Sequence, residues 1–581
     1  MIKKLLAHLG KYRGYALFCI FLMTGDVVSM MLVPMLMGRI VDVGVAAGDI
    51  GYIGRTGAFM VLLSLICIGL GALNMKFSAE AAQGFGANLR KALFDKVQAF
   101  SFSNIDRFSA PSLVTRLTSD VGQLQITLLM SLRMLLRAPL MLVSAAIFAV
   151  SINARLSLVL VVAIPALVLG ISLILRRAER LFFAVQARID GLNGTVQENL
   201  IAIRVVKAFV RESHEKLKFR KSNDELTAAA VRAGNLISLM FPMMILIMNG
   251  AMIAVIGLGG RMVHAGGMGT GQLLSFISYI MEILFSIIIF SMVFILFARA
   301  EACGKRIVEV LETEIDIVDK KPSPGGGKPA IVRLGRIEFR DVDFRYGTGG
   351  QGKNVLSGID LTIAPGELVA IVGGTGSGKT SLVSLIPRLY DVTGGQLLVD
   401  GVDVRDYRIE DLRAGIGMVL QKNILFSGTI RENLLWGDGR AGDGEVEEAA
   451  QIAQADGFIR GFPEGYATVL GQGGINVSGG QKQRLCIARA LLKRPAILIL
   501  DDSTSAVDTA TESRILADLT LKHRGTTVLM IAQRIGSVKG ADRIVVLDDG
   551  QVAGVGTHAE LLAGNAIYRE ICGSQGEGGA A

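Results

Sequence analysis

Apolar positions gather in long blocks before about residue 300 and then break into short runs divided by glycine-rich and charged stretches. Six blocks approach the ~20 residues that a helix needs to cross a bilayer. They are Tyr15–Val41, Gly57–Lys76, Leu135–Val150, Leu156–Leu175, Leu239–Leu258 and Leu273–Ala298. Six in succession predict membrane spans rather than buried soluble helices. Three gaps are short: Asp42–Thr56, Ser151–Arg155 and Gly259–Gln272. Two are long, Phe77–Met134 and Arg176–Ser238, and carry Arg90, Lys91, Arg176, Arg177 and Arg211 among other basic residues. Basic loops stay on the cytoplasmic side, so the N-terminus with Lys3 and Lys4, and everything after the sixth span, are expected in the cytoplasm of a multi-pass cell-membrane protein. Within the long gaps, Ala81–Phe100 and Ala184–Phe209 keep helical spacing and predict extensions of the spans. Phe102–Phe108 and Arg204–Val210 read either as tips that touch the C-terminal half or as solvated bends.

Composition narrows the class. The chain has 581 residues, a formal charge of +9 and 51% hydrophobic residues, which predicts several domains. A basic balance suits nucleic acid or an anionic membrane face; the apolar blocks favour the bilayer and argue against nucleic acid. The apolar run after Tyr15 exceeds a signal-peptide core and reads as a retained first span. Five cysteines are scattered without metal-ligand or paired spacing, which predicts free thiols. Ala300–Leu311 continues the last span as an amphipathic helix, and Lys320–Pro329 is a Pro/Gly-rich linker. The expected domains are a membrane domain at 1–310, a linker at 311–330 and a second domain at 331–581.

The second domain carries the chemistry. Leu368–Val372 reads as a buried strand. It leads into Gly373-Gly374-Thr375-Gly376-Ser377-Gly378-Lys379-Thr380, and Ser381 then opens a helix. This is the phosphate-binding loop in the strand–loop–helix setting that it requires. Glycines let backbone N–H groups approach a polyphosphate, Lys379 reaches the outer phosphates, and the Thr380 hydroxyl suits Mg²⁺. A second apolar strand, Ala496–Leu500, ends in Asp501-Asp502, and Asp501 is placed to hold Mg²⁺ or its waters. Ser478-Gly479-Gly480-Gln481 opens another helix and forms a second anion-binding end. Two such ends serve one nucleotide only across a two-fold interface, which implies a dimer. Tyr346 follows the strand Arg336–Phe344 and reads either as an adenine-stacking ring or as a strand-end aromatic.

With these motifs in this order, the chain resembles a half-transporter of the ATP-binding cassette (ABC) superfamily, of the exporter type, over nearly its whole length. The resemblance covers Walker A at Gly373–Thr380, the Q-loop at Gln421, the signature at Ser478–Gln481, Walker B at Ile497–Asp501, the D-loop at Ser505–Asp508 and the switch at Gln533. It implies six transmembrane helices joined to an α/β P-loop NTPase domain, with ATP and Mg²⁺ as cofactors. By the same resemblance Tyr346 stacks on adenine, Ser381 adds to the nucleotide site, and Gln421 contacts Mg²⁺ or the attacking water.

Three positions depart from the family. Asp502 stands where the family usually has a glutamate base, one methylene too short for easy reach of the water. Gln533 replaces the usual histidine and carries no charge. Gln472 stands where these exporters often have glutamate. The first two changes fall on the site built from this chain's Walker A, while its signature stays close to the family pattern. The chain thus resembles the degenerate-site subunit of heterodimeric bacterial multidrug exporters: slow at its own site, and completing the partner's site with Ser478–Gln481. An ATP-binding regulatory membrane subunit that transports nothing is the competing expectation. Two acids lie inside the spans. Asp26 is expected to have a structural partner. Glu282, near Met281, Phe285, Phe290, Met292 and Phe294, is expected either to attract an amphipathic cation or to pair with a neighbouring helix.

Overall fold

The computed structural model describes residues 1–319, 330–347, 353–502, 508–522, 525–532 and 534–574, with backbone only at 291–296, 298 and 509. The linker at 320–329, Gln533, most of the D-loop and the side chains of Met292 and Phe294 lie outside the described residues. The chain forms two compact units, residues 1–98 with 111–312, and residues 99–110 with 313–581.

The first unit is helical. α1 (Ile2–Ala7) precedes α2 (Arg13–Arg39) and α3 (Ile50–Gln98). The short α4 (Phe102–Arg107) follows and packs with the second unit. Then come α5 (Ala110–Thr115), α6 (Val121–Met130), α7 (Arg137–Ile152), α8 (Leu158–Ile201), α9 (Ile203–Ala208), α10 (Glu212–Ser238), α11 (Met240–His264) and α12 (Thr270–Glu312). Among the described residues six helices or helix runs are long and apolar enough to cross a membrane, in the order the sequence predicts. Most outrun the predicted blocks: α3 continues to Gln98 and α8 to Ile201, because their polar portions keep helical spacing. π-helical turns interrupt the regular ladder at Ile40–Val45, Arg116–Asp120 and Ser131–Leu135.

α2 and α12 approach closely. A Cβ on Gly271 would meet the Gly38 carbonyl oxygen at 2.0 Å, and one on Gly38 would meet Ser275 Oγ at 2.2 Å. Small residues allow such backbone contact between membrane helices. The Asp42 carboxylate accepts from Gly271 N at 2.6 Å and Gln272 N at 2.9 Å, satisfying orphan donors at the start of α12. Asp26 has the structural partner expected of it: Arg137 lies 3.3 Å away.

The second unit is α/β. Its strands are β1 (Ile337–Phe344), β2 (Leu356–Ile363), β3 (Leu368–Gly373), β4 (Gly394–Val399), β5 (Val402–Asp403), β6 (Ile416–Val419), β7 (Gly428–Thr429), β8 (Val469–Leu470), β9 (Ile497–Asp501), β10 (Thr527–Ile531), β11 (Arg543–Asp548) and β12 (Gln551–Gly556). A six-stranded sheet runs β12-β11-β3-β10-β9-β6, parallel except for the edge strand β12. A four-stranded antiparallel sheet runs β2-β1-β4-β5. β9 and β10 are buried along their whole length, as unbroken apolar strands in a covered parallel sheet must be. Separate apolar clusters cover the two faces, one around Leu498, Leu500 and Met530, the other around Ile371, Ile499 and Leu529.

Residues 99–110 join this unit by specific contacts. Ser101 caps α4 in a reciprocal box with Asn104. Asn104 Nδ2 donates to the Glu314 carbonyl at 3.1 Å, and the Ser101 and Ser103 hydroxyls donate to Asp316. The Tyr390 hydroxyl donates to Asp106 at 2.6 Å, and its ring meets Phe102 edge-on. Tyr390→Phe should lower thermal stability by about 1–2 kcal/mol, since it removes one hydrogen bond to a charged acceptor and keeps the ring. In a double-mutant cycle, Asp106→Asn should add little to that loss.

Candidate nucleotide site

Parallel register places the chemistry at one edge of the main sheet. Ile531 of β10 lies opposite Ile371 of β3 on one side and Asp501 of β9 on the other. The loop after β3 and the acids ending β9 therefore emerge together, where open α/β sheets bind ligands.

The loop needs its glycines. A Cβ on Gly373 would stand 2.2 Å from the Leu547 carbonyl oxygen, and Gly378 has φ +93° with Leu356 packed against it. Gly374, Thr375 and Gly376 form the turn between them, and Ser377 is buried. α13 (Lys379–Leu385) starts directly after Gly378. Lys379 Nζ donates to the Gly373 and Gly374 carbonyls at 2.9 and 2.6 Å, lying across the loop. Burial pulls the Lys379 ammonium down, and Asp502 and Asp501 oppose that pull.

Thr380 Oγ1 donates to Asp501 Oδ1 at 3.0 Å. This places a hydroxyl beside a carboxylate that is 1% exposed, a donor set suited to Mg²⁺. Burial pushes the Asp501 carboxyl up; the Thr380 hydrogen bond lowers it, Asp502 raises it and Lys379 lowers it. Burial also raises Asp502, against a hydrogen bond from Gln421 and the charges of Lys379 and Arg534. Asp502 has φ +47°, a left-handed conformation that aspartate tolerates better than most residues.

Tyr346 and Ser381 share a hydrogen bond at 2.8 Å between their hydroxyls. The Tyr346 ring stands edge-on to Phe344 at 4.8 Å and to Tyr390 at 5.2 Å. Tyr390 was not singled out in the sequence; its role depends on contacts that no local pattern encodes.

Ser478 is the N-cap of a long helix, Gly479–Leu492. Its hydroxyl accepts from Gln481 N at 3.3 Å, and Gln481 Oε1 accepts from Ser478 N at 2.9 Å. Gly480 sits in the first turn between them. No hydrogen bond among the described residues joins Ser478–Gln481 to Gly373–Thr380. Gln483, further along this helix, donates to the Asp502 carbonyl at 3.4 Å. Gln472 lies in a short turn ahead of the signature.

Two family models match the chain: "ABC transporter transmembrane region" over residues 16–288 and "ABC transporter" over residues 356–505. An ABC transporter ATP-binding protein of Bacillus subtilis (strain 168), YfiB, is 40% identical over 574 residues, covering 99% of this chain and 98% of that one. The chain belongs to the ABC exporters. An ATP-dependent lipid A-core flippase of Syntrophus aciditrophicus (strain SB) is 33% identical over 512 residues, 88% of this chain and 84% of that one. A solved bacterial Atm1-family ABC exporter with ATP bound superposes with a TM-score of 0.79 at 25% identity, covering 99% of both chains. As a member of this family, the exporter is a multi-pass membrane protein with an ATPase domain, and that domain implies ATP binding.

Proposed function

We propose that this chain is one half of an ATP-driven exporter, paired with a non-identical half-transporter, that moves an amphipathic substrate out of the cytoplasm. Lys379 and the loop Gly373–Gly378 would hold the phosphates, Tyr346 and Ser381 the nucleoside end, and Thr380, Asp501 and Gln421 a Mg²⁺ ion. When bound, that ion would neutralise charge on the outer phosphates. Asp501 must be ionised for this. With its carboxyl raised by burial, Mg²⁺-dependent nucleotide binding should fall on acidification at a higher pH than for an ordinary carboxylate. Titrating nucleotide affinity against pH, with Asp501→Asn as the control that lacks this titration, checks this: the difference between the two profiles should appear above the ordinary carboxylate range.

Asp502 carries the asymmetry. Its carboxylate ends one carbon short of the family's base and is already engaged by Gln421. It therefore holds water poorly, and this chain's own Walker A site retains ATP more than it turns it over. Ser478–Gln481, ordered by their own capping box, would complete the partner's working site. A second chain is further supported by α8 to α10, where Phe183, Ile201, Phe209 and Val210 are 70–79% exposed. Apolar side chains so exposed on helices long enough to leave the bilayer suit burial against another polypeptide.

ATPase assays on the lone chain and on the assembled pair test the reading. The lone chain should be nearly inactive and the pair active. Robust activity of the lone chain, undiminished by Asp502→Asn, would overturn the asymmetry. The slow site equally suits a regulatory ATP-binding subunit that transports nothing; ATP-driven substrate uptake into vesicles by the reconstituted pair excludes that reading.

A further inference from the structure

A cavity of about 490 Å³ opens within the first unit, lined by residues of α2, α3, α7, α12 and the π turn before α7. That volume lies in the range of small-ligand pockets. Its apolar wall is rich in methionine, including Met23, Met30, Met134 and Met141, with Phe285 alongside. Flexible thioethers and aromatic faces adapt to varied hydrocarbon shapes.

Four charged residues line it: Asp26, Arg133, Arg137 and Glu282. Asp26 and Arg137 neutralise each other at 3.3 Å, and Arg137 also reaches Met30 Sδ at 3.5 Å. The other two have no ion-pair partner among the described residues. Arg133 donates from Nε to Ser78 Oγ and from Nη2 to the Met75 carbonyl, both at 2.8 Å; these partners are neutral. Glu282 makes no hydrogen bond or ion pair with a described residue, and Arg137 acts on it only at a distance. A cation and an anion, neither in an ion pair with a described residue, therefore share one cavity, with Glu282 inside the sixth span and Arg133 just before the third, where charge is expensive and marks function.

The backbone provides a second, independent sign. Arg133 sits in the π-helical turn Ser131–Leu135. Such turns are rare and concentrate at functional sites, since the extra residue re-aims neighbouring side chains. The turn lies where the span carries its two arginines, four residues apart.

We propose that this cavity binds a zwitterionic amphiphile, with its cationic group at Glu282, its anionic group at Arg133 and its hydrocarbon against the methionines. A purely cationic ligand would leave Arg133 unmatched, and a purely anionic one would leave Glu282 unmatched. The proposal rests on the export reading for its purpose, but binding can be measured without transport.

The test uses the full-length assembled transporter in lipid nanodiscs without nucleotide. Three probes of equal chain length are compared: an alkylphosphocholine, an alkyltrimethylammonium and an alkyl methyl phosphate, whose diester carries the same single negative charge as the phosphocholine. The alkylphosphocholine should bind about tenfold more tightly than either singly charged probe, the effect of one charge-assisted contact. Glu282→Gln should erase that advantage over the alkyl methyl phosphate, and Arg133→Gln the advantage over the alkyltrimethylammonium. Arg133→Lys, which keeps the charge if the glutamine variant misfolds, should retain most of the selectivity. Equal binding of the cation and the zwitterion, or a uniform loss for all probes in Glu282→Gln, would overturn the proposal. Weaker probe binding in phosphatidylcholine than in phosphatidylglycerol discs identifies a bilayer lipid as the natural ligand; equal binding identifies a soluble amphiphile. Selective binding without ATP-driven uptake would strike the export reading and leave the site standing.

Discussion

Replacing Ser478 with arginine in the assembled transporter is expected to lower ATP turnover by ~100-fold, the scale on which losing one preorganised donor to a reacting centre acts. On the asymmetry proposed above, in which Asp502 is too short to act as an effective base, Asp502→Asn in the same assembly should leave turnover within about twofold. The contrast follows from where each residue stands. Ser478 closes a reciprocal box with Gln481 at the head of the helix Gly479–Leu492, and it aligns the backbone donors of that first turn. An arginine there removes the capping hydroxyl and adds a bulky cation at the end that would meet the partner's nucleotide. The lost cap costs about 1 kcal/mol, too little to unfold the domain, so melting temperature separates the catalytic effect from misfolding. Phosphate release from the purified pair is the measurement. Equal sensitivity to both substitutions would mean two equivalent sites.

Gly271→Leu should be among the most destabilising single changes in the membrane unit, by about 3 kcal/mol, the upper end for overpacking. The new Cβ would collide with the backbone carbonyl of Gly38, which cannot rotate aside as a side-chain tip can. α2 and α12 would have to separate, which also breaks the two hydrogen bonds from the head of α12 to Asp42. Gly57→Leu in α3 is the matched control, since nothing lies within 4 Å of its added Cβ. Thermal unfolding of the solubilised protein should show a clear loss for the first and almost none for the second.

Features carried by local chemistry were legible in the sequence. Runs such as Leu156–Leu175 announce spans because length and apolarity alone decide them. Gly373–Thr380 announces its loop because its glycines and Lys379 are fixed by spacing. Asp26 was expected to have a partner, but sequence did not name Arg137, since partner choice across helices is set by packing. Nothing local in the sequence marks Arg133, for the same reason: its place comes from a π turn and a cavity shared with Glu282. Tyr390 and the attachment of α4 to Glu314 and Asp316 are equally hidden, because those pairs are separated by between 210 and 284 positions.

The hydrogen bonds of Ser101, Ser103 and Asn104 bear on how the protein is made. A ribosome delivers residues 99–110 long before Glu314, Asp316 and Tyr390 exist, so the segment must remain hydrated while several spans are threaded into the bilayer. Translation order therefore keeps the fold of the second unit from being completed by residues 313–581 alone. Its last seam closes only after both early and late polypeptide have been released.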